Sequence, residues 1–357
     1  MTFWGGLCVG LTCRSYFTRI TPHSLPAELT FSGEQKFTKR NSHCENLKIT
    51  SLQAANQFRA AEKAAGATNC FNYLFLRAWR DLQPAAHTFI DVGASTGMAT
   101  ALFLSLWGTH LNATPKALGD HWHNVGLKKH CAPCPGICGL DNEHPKMQKA
   151  ASQAGLRVFA LEPSLITVNV LEEFFYDKLG LRDAVHIMHV AVSDGNGNAQ
   201  FPVTYPGDMF GSLSTYTDRI KMEAFHSSYA KFVETDVITM DDFVAMENIT
   251  HIDWMRIHTE GFDHFVLNGA SDIVRKRAVD VITFAYLNDW RSNRLVENIS
   301  EFHNFGYDCY NLGRSGVVQL FQFVLCGFSD IFDHEAELMC INRDCKQCME
   351  ALRNVYR

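Results

Sequence analysis

The sequence predicts an α/β fold, a mostly parallel sheet with helices on both faces. Three observations predict it. Short apolar, β-branched runs alternate with segments of helical period between residues 88 and 304. The first run, Thr88–Val92, passes through a turn containing Gly93 and Gly97 directly into an apolar helical segment, giving a strand, a tight turn and a helix start in one stretch. Charged and polar residues collect where the runs end: Asp91, Glu162, Ser193 with Asp194, and His258 with Glu260. In parallel sheets, ligands bind beyond the carboxyl ends of the strands, so these segments point at one rim.

The elements follow in order. Residues 1–48 lack a sustained period, carry Pro22, Pro26 and Gly33, and read as a loosely ordered lead-in. Residues 52–65 and 72–82 have helical period, and Pro84 ends the second helix. After strand Thr88–Val92 and the helix from Gly97, residues 108–155 hold Pro, His, Cys and Asn with little periodicity, and are expected to be an insertion. Strands are expected at 157–161, 185–191, 199–203, 232–238, 253–257, 279–285, 307–311, 317–324 and 337–342. Helices are expected at 165–179, 240–246, 262–276 and 291–304. The main domain spans residues 49–345, with 346–357 as a C-terminal tail.

Bulk properties narrow the function. A hydrophobic content of 46% suits a buried globular core, and a net charge of −6 with scattered Lys and Arg argues against a nucleic-acid partner. No apolar run reaches the roughly 20 residues of a bilayer span, so no transmembrane segment is expected. Residues 3–11 are apolar, but Arg14 is the first basic residue, which makes a poor secretory signal. Cytoplasmic and secretory placements both stay open. Of the twelve cysteines, most stand apart and read as small buried hydrophobes. Cys131, Cys134 and Cys138, with nearby histidines, could supply half a zinc site or form disulfides, and Cys345 with Cys348 could fold back on them. No complete metal-ligand set is assigned.

The turn at residues 91–97, Asp-Val-Gly-Ala-Ser-Thr-Gly, suits a nucleotide-like cofactor, because glycines admit close backbone approach and a helix N-terminus carries free N–H groups. Its spelling differs from the Gly-x-Gly-x-x-Gly of dinucleotide binders, which disfavours an oxidoreductase. Instead it is similar to the first motif of S-adenosylmethionine (SAM) methyltransferases.

Further motifs sharpen that resemblance. The stretch from Asp253 to Ala270 resembles the FkbM-type signature Ile-Asp-x-Leu-Lys-Ile-Asp-x-Glu-Gly-x-Glu followed by Val-Leu-x-Gly-Ala. Residues 237–243 resemble the family's Thr-Leu-Asp-Asp-Phe element, and residues 190–194 and 211–213 also have counterparts. The resemblance covers about residues 85–310. It implies a Rossmann-like class I methyltransferase with a mostly parallel seven-stranded sheet, SAM as cofactor, and O-methylation of a hydroxyl on a small molecule or glycan. The chain departs from the pattern at His258, where Asp is usual, at Arg256, where Lys is usual, and at Ala285, near where an acidic residue often follows the strand. These departures keep a second reading open, a catalytically degenerate SAM-binding or scaffold protein.

Within that reading each residue has an expected role. Glu162 ends its strand where a carboxylate can take the two ribose hydroxyls. Gly93, Ala94 and Gly97 give backbone approach to the methionine end, with Asp91 serving its ammonium directly or through water. Ser193 and Asp194, after Ala191, suit the adenine. His258 is expected to assist deprotonation of the acceptor, with Glu260 orienting it. Residues 211–216, rich in hydroxyls, are expected to face the acceptor or solvent.

Overall fold

The computed structural model describes residues 51–65, 73–108, 112–126, 155–203, 231–286, 292–313, 316–321 and 336–356. The lead-in 1–48, the Cys131/Cys134/Cys138 group and the hydroxyl-rich stretch 211–216 lie outside the described residues.

Strand β1 (Thr88–Val92) is buried along its whole length. Such a run has no solvent face, as expected in the middle of a parallel sheet. It pairs in parallel with β2 (Arg157–Glu162) on one side and β7 (Ile252–Ile257) on the other. Strand β3 (Val185–His189) continues in parallel beyond β2, and β8 (Val279–Tyr286) beyond β7. The far side is completed by β9 (Tyr307–Leu312), β10 (Val317–Gln319) and β11 (Ala336–Asn342), giving the order β10-β9-β11-β8-β7-β1-β2-β3. Strand β11 runs antiparallel to both β8 and β9, and β10 runs antiparallel to β9. Among the described residues the sheet is therefore mixed and has eight strands instead of the expected seven.

Helices cover both faces because alternate strand residues point to opposite clusters. Phe89, Val158 and Ala160 join one core with α2 (Tyr73–Leu82), α3 (Met98–Trp107) and α4 (Pro115–Asn124). Ile90, Phe159 and Leu161 join the other, with α6 (Met240–Met246), α7 (Asp263–Asn268), α8 (Ser271–Arg275) and α9 (Ser292–Phe305). Helix α1 (Ser51–Ala65) sends Phe58 into this second core, as the helical period of its sequence requires.

Several elements differ from the local pattern, each for a reason that lies elsewhere in the chain. The strand expected at 185–191 divides at Val190, and β4 (Ala191–Val192) leaves to join β5 (Gly197–Val203) and β6 (Lys231–Ile238) in a separate sheet of order β4-β6-β5. The helix expected at 165–179 is α helix α5 (Leu165–Glu172) followed by a π turn, Glu173–Lys178, which buries Phe174 and Phe175 together. The helix expected at 262–276 breaks into α7 and α8 at Gly269, where any Cβ would stand 2.2 Å from the Ser193 carbonyl oxygen. The Asp241 carboxylate accepts from the Asp272 and Ile273 N–H groups at the start of α8. Helix α4 lies inside the expected insertion, with Thr114 as N-cap, and the Trp122 indole donates to the Thr96 carbonyl. Residues 346–355 of the expected tail form α10 (Lys346–Val355), whose Cys348, Ala351 and Leu352 join the same core as α2.

Cys309 and Cys340, read as isolated hydrophobes, and Cys345 and Cys348, left open between a zinc site and disulfides, are bonded. The β9–β11 register sets Cys309 opposite Cys340, and they form a disulfide, as do Cys345 and Cys348 at the start of α10.

Candidate functional site

The chain order around β1 changes direction: β2 lies on one side and β7 on the other. The crevice at such a switch point is where this architecture binds ligands. Both loops that line it, after β1 and after β7, use left-handed backbone: φ is +74° at Gly93, +73° at Gly97, 47° at Ser95, 52° at Glu260 and 98° at Gly261. Gly93 has no room for a side chain, since a Cβ there would meet the His258 carbonyl oxygen at 2.2 Å. The two loops are also tied by the His258 N–H donating to the Val92 carbonyl at 2.9 Å.

The turn engages its own N–H groups more than the sequence suggests. Gly93 and Ala94 both donate to the Leu161 carbonyl, and Gly97 donates to the Ala94 carbonyl. These N–H groups are therefore not free donors, and the two glycines are required by packing within the protein, Gly93 against the His258 carbonyl and Gly97 against the Leu171 side chain. Gly97 also caps α3 without placing a side chain over its first turn. The Ser95 Oγ is buried and has no hydrogen-bond partner among the described residues, an orphan inside the turn.

Glu162 lies at the end of β2, buried beside that turn. Its Oε2 accepts from the Ser95 N–H at 2.7 Å and its Oε1 from the Ser164 N–H at 2.9 Å. A carboxylate accepts up to about four hydrogen bonds, so fastening two turns and holding a vicinal diol are compatible roles. Ser193 and Asp194 occupy the turn between β4 and β5. Asp194 is exposed, and the Ser193 N–H donates to the Ile238 carbonyl.

Asp91 is placed differently from the expectation that it meets a ligand ammonium. It is 0% exposed, and its two oxygens are engaged by Thr100 Oγ1 at 2.9 Å and Arg256 Nη1 at 2.9 Å. From there a connected row runs to the rim: Arg256 Nη2 stands 2.9 Å from His258 Nδ1, and His258 Nε2 stands 3.4 Å from Glu260 Oε1. A guanidinium only donates, so His258 Nδ1 is the acceptor and the neutral ring carries its proton on Nε2, toward Glu260. The lone pair a base would use is thus the one held by Arg256. Burial pulls the His258 pKa down, the Glu260 hydrogen bond and the Glu337 charge push it up against Arg256, and the balance lies above the ordinary histidine value. Protonation would set an N–H against the Arg256 donor, so the ring gains charge only by giving up that contact.

Two carboxylates that the sequence did not single out complete the cluster. Asp263, at the start of α7, is 0% exposed and accepts from the N–H and hydroxyl of Thr259 and from the Ala285 N–H. Glu337, on β11, is also buried, and burial pushes both carboxyls above their usual range. Asp263 follows Gly261 closely and could have been found as part of the signature loop. Glu337 comes from a strand far along the chain, and its only signal is a charge inside an otherwise apolar run.

The sheet order with its switch point at β1 is that of a Rossmann-like α/β fold. More particularly, residues 139–309 match the family described as methyltransferase FkbM domain. That match covers just under half of the chain. The matched span begins after the β1 turn and ends within β9, so Asp91–Gly97 and Glu337 lie outside it. Comparison with curated protein sequences gives no match. Among solved structures, the chain is similar to a methyltransferase FkbM from Methylobacillus flagellatus KT at 12% identity, over 72% of this chain and 44% of that one, with a TM-score of 0.37. The chain thus spans under half the length of that protein. It is also similar to precorrin-6y C5,15-methyltransferase from Geobacter metallireducens GS-15, at 9% identity, 78% and 92% coverage and a TM-score of 0.30. A third is an O-methyltransferase from Bacillus cereus in complex with SAH, at 9% identity, 86% and 99% coverage and a TM-score of 0.29.

Proposed function

We propose that this chain transfers a methyl group from SAM to a hydroxyl of a small molecule or glycan. The observation that carries the reading is the joined turn at the switch point. Glu162 spans the β1 and β2 loops, Gly93 and Gly97 let the turn pack tightly against the β7 loop and α5, and the buried Ser95 hydroxyl lacks a partner among the described residues. Those groups fit SAM: the carboxylate for ribose hydroxyls, the orphaned hydroxyl for a polar ligand atom, the side-chain-free turn for the methionine end. Ser193 and Asp194 serve the adenine in this reading.

When bound, SAM supplies an electrophilic methyl on a sulfonium, and the protein supplies position and a proton acceptor. Asp91 and Arg256 form a fixed support beneath the loop, and Arg256 sets the His258 tautomer. Glu260 holds the other ring nitrogen. His258 and Glu260 then line the acceptor side as polar groups of fixed orientation.

One observation favours the second reading, a SAM-binding protein without turnover: the His258 lone pair is occupied by Arg256. Calorimetric titration with SAM, followed by transfer of labelled methyl to a metabolite and glycan extract, separates the two. Binding with label transfer supports the enzyme, and binding without transfer supports the alternative. Absence of SAM binding defeats both.

A further inference from the structure

Two buried carboxylates stand under the same rim, and their surroundings differ. Asp263 has both oxygens occupied by N–H and hydroxyl donors. Glu337 is 3% exposed, yet its Oε1 has no hydrogen-bond partner among the described residues. A buried polar atom left without a partner is costly, and in a folded protein it marks a place where something else binds or reacts.

Its position follows from strand direction. Because β11 runs antiparallel to β8, its first residues meet the end of β8, and Glu337 pairs with Ala285. Glu337 therefore enters the rim where the family pattern expects an acid from the preceding strand, and Ala285 contributes only a methyl there. The groups that face it are Arg256 and His258 from β7 and its following loop, and Asp263 from α7, all near enough to act on its charge. From β8 the residue paired with it, Ala285, is uncharged.

We propose that Glu337 is the base that takes the proton of the acceptor hydroxyl, with Arg256 and His258 as positioning residues. This rests on the methyltransferase reading above. In the step, a lone pair of the acceptor oxygen forms the new C–O bond to the methyl carbon. The S–CH3 bond breaks with its electron pair staying on sulfur, and the hydroxyl proton passes to Glu337 Oε1. Protons, charge and electrons balance, and no oxidant or metal is consumed. Burial holding the Glu337 carboxyl above its usual range, against the pull of His258 and Arg256, suits a base that changes protonation nearer neutrality.

The test uses the full chain with SAH as a binding probe, and the Glu337→Gln and Glu337→Asp variants. Infrared difference spectra follow the protonated-carboxyl band with pH. Wild type is expected to keep such a band to higher pH than ordinary carboxylates do. Glu337→Gln should lose part of it, the share that remains belonging to the other buried carboxyls such as Asp263. Calorimetry should give the same SAH affinity for Glu337→Gln as for wild type, while methyl transfer falls by roughly 10²–10⁴-fold and Glu337→Asp recovers part of it. The assignment is overturned if wild type shows no such band, if the band of Glu337→Gln is undiminished, or if that variant transfers label at the wild-type rate. A wild type that binds neither SAM nor SAH instead sinks the methyltransferase reading itself.

Discussion

Strand β7 carries a charged cluster at each end, and the two are built on opposite terms. At its amino end, Asp253 accepts from the His87 and Thr88 N–H groups and from the Gln83 amide, while His251 reaches Asp280 at 3.3 Å. These contacts fasten the start of β7 to the entry of β1 on one side and to β8 on the other. At its carboxyl end, Arg256, His258, Asp263 and Glu337 crowd under the rim, and one carboxylate oxygen there has no partner among the described residues. Asp253 uses both its oxygens to fasten strands, whereas Glu337 keeps an oxygen over, the basis of its proposed role. Burial pushes the Asp253 carboxyl up against the pull of its backbone donors, so a shifted pKa alone does not distinguish the two ends.

Substitutions at the two ends should therefore separate stability from binding. The largest expected effect is Arg256→Met, which strands the Asp91 carboxylate in the core. Urea unfolding should register a loss of about 3–5 kcal/mol, the cost of an uncompensated buried charge. Next is Asp253→Ala, which leaves buried donors unmatched and should cost about 2–3 kcal/mol while SAM affinity stays at the wild-type value. Altered SAM affinity in that variant would break the contrast between the ends. Glu162→Gln should do the reverse, weakening SAM binding by roughly 30-fold, about 2 kcal/mol, through loss of charge-assisted hydrogen bonds. Unchanged calorimetric affinity would remove Glu162 from the cofactor site.

The smallest effect belongs to His251→Gln. The hydrogen bond to Asp280 raises the His251 pKa, against the opposing effect of burial. A raised histidine pKa means that the folded state binds the extra proton. The added stability is complete below the unfolded value, about 6.5, and disappears as pH rises through the folded value. The side chain is 50% exposed, so the contribution should stay under about 1 kcal/mol. Melting curves of wild type and variant should differ at pH 5.5 and converge by about pH 9. A gap that widens toward alkaline pH would contradict the assignment.

Much of the carboxyl end was legible because its signals are local. The run Thr88–Val92, its glycine turn, Glu162 and the His258–Gly261 loop each announce themselves within a few residues. What escaped depends on partners distant along the chain. Nothing near residue 269 says that the Ser193 carbonyl will press on it, or that Asp241 will cap the helix that restarts there. The Asp91 role was misassigned because its partner, Arg256, arrives from another strand. Glu337 escaped because its function is set by which strand lies beside it, not by its neighbours in sequence.

The insertion of β11 between β8 and β9 has a consequence for biogenesis. Strands β8 and β9 do not bond to each other. Each waits for residues 336–342 to fill the slot between them. A nascent chain that has not yet released this segment exposes two unpaired strand edges, which is an invitation to aggregate. Synthesis of the last strand therefore closes the sheet and delivers Glu337 to the rim in a single event, so that an incompletely made chain lacks the proposed base.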